Sequence, residues 1–208
     1  MLLFQILACA VLAVFYGIYF IKLFSQKKRG IRTHQIGTRR EKTLHTVEVL
    51  MSVATLGVVA AQLASILLDW SLLPENARFT GFLTGLLGDL IFLMAVLTMK
   101  DSWRAGIPQK DKTEFVSTGI YALSRNPAFL GFDCMYIGVC LLFCNPVSIG
   151  FTVFTVTMLH LQILQEEHYL EAAFGEPYRN YKKQVFRYLG RKNGSVLNRS
   201  GVEKSREQ

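Results

Sequence analysis

Apolar residues occur in long runs along this chain, and charged residues are concentrated between the runs. Five runs stand out, at residues 2–21, 47–68, 79–99, 128–144 and 146–164. A helix needs about 20 mainly apolar residues to cross the roughly 30 Å hydrocarbon core of a bilayer. The pattern therefore predicts an all-α integral membrane protein with about five membrane-spanning helices.

The last two runs are the shortest, and only Asn145-Pro146 separates them. A proline is well tolerated in the first turn of a helix, where its missing N–H has no intrahelical partner to lose. We therefore expect these two runs to form a helical hairpin that dips into or crosses the bilayer.

The basic residues predict the orientation of the chain. Of the 23 Lys and Arg, eight lie between the first two runs, one between the second and third, five between the third and fourth, and nine after the fifth. Positive charge in short loops marks the cytosolic side of a membrane. We expect the N-terminus outside and the C-terminus in the cytosol, in a bacterial inner membrane or the endoplasmic reticulum.

The composition agrees with a membrane protein and excludes other classes. Only 18% of the residues are charged, against about 25% in soluble domains. Basic loops next to spans meet anionic lipid headgroups, which accounts for the net charge of +8. No DNA-reading or base-stacking motif accompanies that charge, so we expect no nucleic-acid partner. No His/Cys spacing predicts a metal site.

Two polar segments flank the predicted hairpin, and they are the candidates for chemistry. If the hairpin helices pack antiparallel, Arg125, Asn126 and Pro127 meet Glu166 and Glu167 at its cytosolic end. The residue before a proline is pushed out of helical geometry, and a helix N-terminus favours anionic groups. This reasoning predicts a charged pocket at the membrane surface. An ion pair that merely closes the helix ends is the alternative.

A set of residues in the C-terminal half carries a family resemblance. The set is Gly119, Tyr121, Arg125, Asn126, Pro127, Phe129, Gly131, Asn145, Pro146, Glu166, Glu167, Leu170, Phe174, Gly175, Tyr178, Tyr181, Lys182 and Lys183. In this order and spacing it resembles the isoprenylcysteine carboxyl methyltransferase and phospholipid methyltransferase superfamily of integral membrane methyltransferases. The resemblance covers roughly residues 100–190. Residues 1–99 would be a three-helix scaffold, 100–192 the methyltransferase core, and 193–208 a polar, disordered tail.

The resemblance implies that the C-terminal segment binds S-adenosylmethionine on the cytosolic side. It places cofactor contacts at Thr113, Glu114, Phe115, Val116, Tyr121, Asn126, Pro127, Ala128, Phe129, Glu166, Tyr178 and Tyr181. It places catalytic roles at Arg125, Gln162, Glu166 and Glu167. The implied partners are the lipid bilayer and a lipid-like or prenylated substrate that enters from it.

Two positions depart from the family pattern. Asn126 stands where the family has His, and Gln162 stands where its carboxyl methyltransferases have an Arg that contacts the substrate. Carboxylate methylation of the isoprenylcysteine type is the first expectation from the resemblance. Methylation of a phospholipid amine, with Glu167 or His168 as base, is an alternative, and so is a non-catalytic scaffold of the same fold.

Asp89, Asp133 and His160 lie well inside the apolar runs, where ionisable residues are functional candidates by default. Asp89 closely follows Gly85 and Gly88, which favours a small-residue helix interface at this point. Asp133 and His160 belong to the hairpin, and we expect either of them to be able to line a substrate tunnel.

Overall fold

The computed structural model describes residues 2–31, 42–103 and 115–192. Within them the chain forms six α-helices: α1 Leu2–Lys28, α2 Lys42–Leu67, α3 Glu75–Met99, α4 Pro127–Leu142, α5 Pro146–Phe174 and α6 Glu176–Gln184. Short 3-10 turns lie at Lys100–Ser102 and Gly119–Ala122. The described residues contain no β-strand, only one isolated bridge between Val185 and Arg191. The all-α prediction is confirmed.

Four of these helices are long and apolar enough to cross a membrane: α1, α2, α3 and α5. At 1.5 Å per residue, the 29 residues of α5 extend about 44 Å, whereas the 16 residues of α4 extend only about 24 Å. The sequence pattern, which gave a run of residues 146–164, therefore underestimated the length of α5. The apolar run marks the part that faces hydrocarbon, but the helix continues through the polar residues that follow it.

Helices α3 and α4 pack with their backbones in contact, because glycines face each other along the seam. A Cβ atom on Gly81 would lie 2.7 Å from the Gly138 carbonyl oxygen, and one on Gly88 would lie 2.7 Å from that of Gly131. Small residues that let backbones approach this closely are typical of membrane helix interfaces. The seam confirms the expected small-residue interface beside Asp89.

The turn between α4 and α5 is fixed by Asn145, whose side chain is fully buried. Its oxygen accepts a hydrogen bond from the Ser148 N–H at 2.9 Å, which caps α5. Its amide nitrogen donates to the Ser65 hydroxyl and to the Trp70 carbonyl. The hairpin is thereby attached to the end of α2.

The helices form an incomplete ring in the order α1, α3, α4, α5 and α2. Phe15 of α1 stacks on Phe92 of α3 with ring centroids 4.5 Å apart, and the Thr155 hydroxyl of α5 donates to the Ala54 carbonyl of α2 at 3.0 Å. Helices α1 and α2 contact each other sparsely. The ring is therefore weakest between these two helices.

Candidate active site

The Arg125-Asn126-Pro127 segment leads the chain into α4. Pro127 occupies the first turn of the helix, and Asn126 is the N-cap residue, with a non-helical φ of −131° and ψ of 53°. The Asn126 N–H donates to the Ser124 hydroxyl at 3.1 Å. This local arrangement is the one predicted from the proline, and it directs both Arg125 and Asn126 toward the end of α5.

Glu167 is the centre of a buried ion network. The Arg125 Nε atom donates to its Oε1 atom at 3.0 Å, and the Asn126 amide donates to the same oxygen at 3.0 Å. Arg187 Nη2 donates to Glu167 Oε2 at 3.0 Å. Arg125 and Glu167 are 9% and 3% exposed, so these contacts exclude water.

The network ties the C-terminal segment to the hairpin. Arg125 also donates to the backbone carbonyls of Lys182 and Val185, and the Asn126 amide donates to that of Arg187. The hydrogen bond to Glu167 raises the pKa of the Arg187 guanidinium. Sequence reasoning missed Arg187, because it lies 20 residues beyond Glu167 in a stretch without a helical pattern.

These contacts give Arg125 and Glu167 a structural role. Both Glu167 oxygens are engaged by protein donors, and the Arg125 guanidinium is engaged on all three nitrogens. This is the ion-pair arrangement that the sequence offered as an alternative. The catalytic roles expected for the two residues stay a prediction.

A cavity of about 490 Å³ lies inside the ring of helices, with Glu166 on its wall. The residues that line it are Tyr16, Tyr19, Phe20, Met51, Thr55, Leu56, Val59, Trp103, Ala128, Phe129, Phe132, Tyr136, Leu159, Gln162 and Glu166. They include four predicted site residues: Ala128, Phe129, Gln162 and Glu166. We call the part near these four residues the head-group end. The part near Tyr136 and Val59, deeper along α4 and α2, is the tail end.

The cavity reaches the lipid-facing surface between α1 and α2. Phe20 of α1 and Leu56 of α2 line the cavity, yet they are 48% and 74% exposed. Because α1 and α2 contact each other sparsely, an apolar chain in the bilayer can enter the cavity between them.

Gln162 and Glu166 are one helical turn apart on α5 and bind each other. The Gln162 amide nitrogen donates to Glu166 Oε1 at 3.3 Å. The Gln162 side chain is fully buried, and its oxygen has no hydrogen-bond partner within the described part of the chain. A carboxylate cannot donate, so the amide nitrogen has to be the atom that faces Glu166.

The predicted aromatic contacts form a separate cluster beneath the hairpin. Phe115 packs against Tyr178 and Tyr181 with ring centroids 5.9 and 5.4 Å apart. The Tyr181 hydroxyl donates to the Tyr121 carbonyl at 2.6 Å. Burial raises the pKa of both Tyr178 and Tyr181, so each keeps its proton. The cluster supports α6 against the Gly119–Ala122 turn.

The remaining predicted residues fall in three places. Val116 is half-buried beside Phe115, and Thr113 and Glu114 lie outside the described residues. Asp133 and His160 are not among the residues that line this cavity, and the expectation that either lines a substrate tunnel stays a prediction. The His160 ring instead stacks on Tyr188 and meets its hydroxyl at 2.7 Å, because this face of α5 is turned toward the C-terminal segment.

Comparisons with known proteins match the part of the chain that contains the hairpin. The profile of the isoprenylcysteine carboxyl methyltransferase (ICMT) family matches residues 81–172. Protein-S-isoprenylcysteine O-methyltransferase B of Arabidopsis thaliana is 31% identical over 103 residues, covering 48% of this chain and 52% of the relative. The Xenopus laevis enzyme of that name is 32% identical over 127 residues, 57% of this chain and 44% of the relative.

The Saccharomyces cerevisiae protein-S-isoprenylcysteine O-methyltransferase is 32% identical over 120 residues, covering 56% of this chain and 50% of the relative. The chain thus spans about half the length of the curated relatives it matches. The region that the family profile matches contains α4, the Arg125–Glu167 ion pair and the Gln162–Glu166 pair, whereas Arg187 lies beyond it. Residues 81–172 of this chain are therefore similar to the isoprenylcysteine carboxyl methyltransferase family.

Proposed function

We propose that this protein is a membrane-embedded methyltransferase that transfers a methyl group from S-adenosylmethionine to a lipid-like or prenylated acceptor. One observation carries the proposal. One cavity is lined both by Ala128, Phe129 and Glu166, where the family resemblance implies cofactor contacts, and by the exposed residues Phe20 and Leu56 at the gap between α1 and α2. A donor from the cytosol and an acceptor from the bilayer would therefore meet at the head-group end.

The head-group end has the chemistry that the cofactor requires. When bound, S-adenosylmethionine supplies a methyl group on a positively charged sulfur. The Glu166 carboxylate suits that charge and the ribose hydroxyls, and the Phe129 and Trp103 rings can face a cation. The N-terminus of α4 at Pro127 would receive an anionic group of the cofactor.

The Glu167 network would act by positioning rather than by contact with the reacting atoms. It fixes the end of α5, and Glu166 is the next residue along that helix. Holding a reacting group in the right geometry supplies a large share of the rate enhancement in a two-substrate reaction. We therefore assign Arg125, Glu167 and Arg187 to the positioning of Glu166 and of the segment that closes the site.

The acceptor is proposed from the relatives and from the tail end of the cavity. The relatives are named as O-methyltransferases of protein S-isoprenylcysteine, and Phe132, Tyr136 and Val59 provide an apolar channel for such a chain. A carboxylate is already ionised near pH 7 and would need no base. A phospholipid amine is the second candidate, because the neutral Gln162 amide offers a substrate carboxylate no charge-assisted hydrogen bond.

A bulky residue at the tail end tests the channel. Val59→Trp would fill the space that the acceptor chain needs, so we expect methyl transfer from radiolabelled S-adenosylmethionine into extracted lipids or a prenylcysteine analogue to fall by about tenfold or more. Binding of S-adenosylmethionine should not change, because Val59 lies away from Glu166.

The matched control is Val53→Trp, on the same helix but 58% exposed and outside the cavity. We expect it to keep wild-type transfer. Equal transfer by both variants would show that the acceptor does not use this channel.

A further inference from the structure

The turn that follows α6 carries exposed apolar and basic side chains next to each other. Phe186 and Leu189 are large apolar residues, yet they are 46% and 67% exposed. Lys183, Arg191 and Lys192 are exposed as well, and the Lys192 ammonium lies 5.7 Å from the centroid of the Phe186 ring. We call these five residues the C-terminal patch. An exposed apolar patch with a polar rim marks a surface that contacts another protein or a membrane.

The cations of the C-terminal patch keep their charge for a ligand. Lys183 and Arg191 form no ion pair with a carboxylate in the described part of the chain. The Lys192 ammonium donates to the Lys182 backbone carbonyl at 3.3 Å, which leaves its charge in place. Residues 182–192 include five Lys and Arg and no Asp or Glu, so the sequence around the patch does not offset this charge.

The turn lies beside the apolar part of α5. Tyr188, in the middle of the turn, stacks on His160, and its hydroxyl lies 2.7 Å from His160 Nδ1. His160 belongs to the apolar run at residues 146–164. It precedes Glu167 by two helical turns, about 10 Å along α5. The turn is therefore at the depth where hydrocarbon meets the lipid headgroups.

An anionic phospholipid matches both halves of the C-terminal patch. Its phosphate headgroup complements the exposed cations, and its acyl chains cover apolar side chains that water would otherwise surround. The chain's own residues 193–208 are a poor match, because they include three Lys and Arg against two Asp and Glu. They bring no net negative charge to the patch.

We infer that the C-terminal patch binds an anionic phospholipid of the surrounding bilayer, with the headgroup on the three cations and the acyl chains beside the two apolar side chains. None of the five residues lines the cavity, so this site is separate from the proposed active site. The Arg125 N–H donates to the Phe186 carbonyl at 3.1 Å, so a bound lipid would also hold the turn against the hairpin. The inference does not depend on methyl transfer, and its test needs no methyl donor.

Two phospholipids with the same acyl chains test the charge. With the full chain in detergent micelles, we expect native mass spectrometry to show about tenfold tighter binding of dioleoylphosphatidylglycerol than of dioleoylphosphatidylcholine. Arg191→Gln should weaken binding of the anionic lipid by about fivefold, the usual contribution of one Lys or Arg at an anionic surface. Arg179→Gln is the matched control, since Arg179 is exposed on α6 but pairs with Glu176 at 3.1 Å, and it should leave both affinities unchanged.

The depth of the turn tests the apolar half of the patch. With the native cysteines replaced and the chain in nanodiscs of phosphatidylglycerol, we attach a nitroxide to Leu189→Cys. We expect it to collide with oxygen more often than with a water-soluble nickel chelate, because oxygen is concentrated in hydrocarbon. A nitroxide on Asn180→Cys, exposed on α6, should show the opposite preference.

The remaining outcomes would overturn the inference. Equal affinity for the two phospholipids would do so, as would equal losses in Arg191→Gln and Arg179→Gln or a nickel-accessible label at Leu189→Cys. The probes sn-glycerol 3-phosphate and hexaglutamate carry negative charge without acyl chains. Binding of either as tightly as phosphatidylglycerol would assign the patch to a soluble anion or an acidic protein segment. A lipid preference that Arg191→Gln reduces supports the site even in a chain that transfers no methyl group, so the two proposals fail separately.

Discussion

Glu166 and Glu167 are neighbours in the chain but have different surroundings. Glu166 lines the cavity and accepts from Gln162. Glu167 is turned to the other side of α5, where two arginines and Asn126 donate to it. Successive residues on a helix differ by about 100° in direction, which is enough to give one carboxylate a site at the cavity and the other a place in a buried ion network.

Removal of Glu167 should therefore destabilise the fold. Glu167→Ala leaves the buried Arg125 guanidinium without its carboxylate, and breaking a buried pair in this way costs about 3–5 kcal/mol. We expect a clearly lower thermal unfolding midpoint in detergent. Glu171→Ala is the control, because Glu171 pairs with the half-exposed Lys182 and exposed pairs contribute little. Equal midpoints for the two variants would contradict the structural role of Glu167.

The sequence predicted part of this residue-scale arrangement. An antiparallel hairpin predicts that Arg125 and Asn126 lie close to the two glutamates. The structure has this arrangement, since both residues donate to Glu167. The sequence did not predict which of the two glutamates binds Arg125. The helical register at the end of α5 determines this, and it turns Glu167 toward Arg125. Arg187 could not be predicted, because a β-bridge between Val185 and Arg191 brings it back to the hairpin, and that turn has no apolar periodicity.

At the scale of helices, the glycine seam between α3 and α4 determines the shape of the ring. A side chain on Gly138 would meet the backbone at Gly81 and Gly85, and backbone cannot move aside as a flexible side chain can. Short α4 is thus held along most of its length by α3. This packing leaves its other face, with Phe129, Phe132 and Tyr136, to line the cavity.

Adding one methyl group to the seam should separate these helices. Gly138→Ala overpacks the interface, and we expect it to lower the free energy of unfolding by about 1–3 kcal/mol. Gly150→Ala on α5 is the control, since nothing lies within 4 Å of a Cβ placed there. It should leave stability unchanged or raise it by up to about 1 kcal/mol. Thermal unfolding in detergent measures both, and a tolerated Gly138→Ala would contradict the close seam.

The five apolar runs predicted the order of helices α1–α5, but they predicted the ends of these helices less accurately. Hydrophobic runs indicate what lies in hydrocarbon, so α1, α2 and α3 were placed correctly. The final turns of α5 lie among polar residues, and those turns carry Glu166 and Glu167. The part of the element that matters most for the site is therefore the part that hydropathy does not indicate.

For the whole molecule, the proposal requires the head-group end to face the cytosol, where S-adenosylmethionine is made. The basic loops support this orientation. With the native cysteines replaced and the protein expressed in a bacterial inner membrane, we expect an impermeant maleimide to label Ser71→Cys, in the loop between α2 and α3, in intact cells. Asn180→Cys on α6 should react only after the cells are permeabilised. The reverse pattern would place the cavity's polar end on the wrong side for the cofactor.

In the proposed function, a cytosolic binding region meets a channel from the bilayer at Glu166, which lies on the cavity wall. A non-catalytic scaffold of the same fold would keep the helices, the glycine seam and the Glu167 network, but it would have no need of a cofactor. Stability measurements therefore cannot separate an enzyme from a scaffold. Only a ligand that reaches Glu166 can do so.

Calorimetric titration of S-adenosylmethionine into the purified, folded protein tests the central claim most directly. We expect saturable binding by the wild-type chain and by Glu171→Ala, and loss of that binding in Glu166→Ala at an unchanged unfolding midpoint. No heat of binding to the folded wild-type protein, or equal binding by Glu166→Ala, would contradict the proposed function.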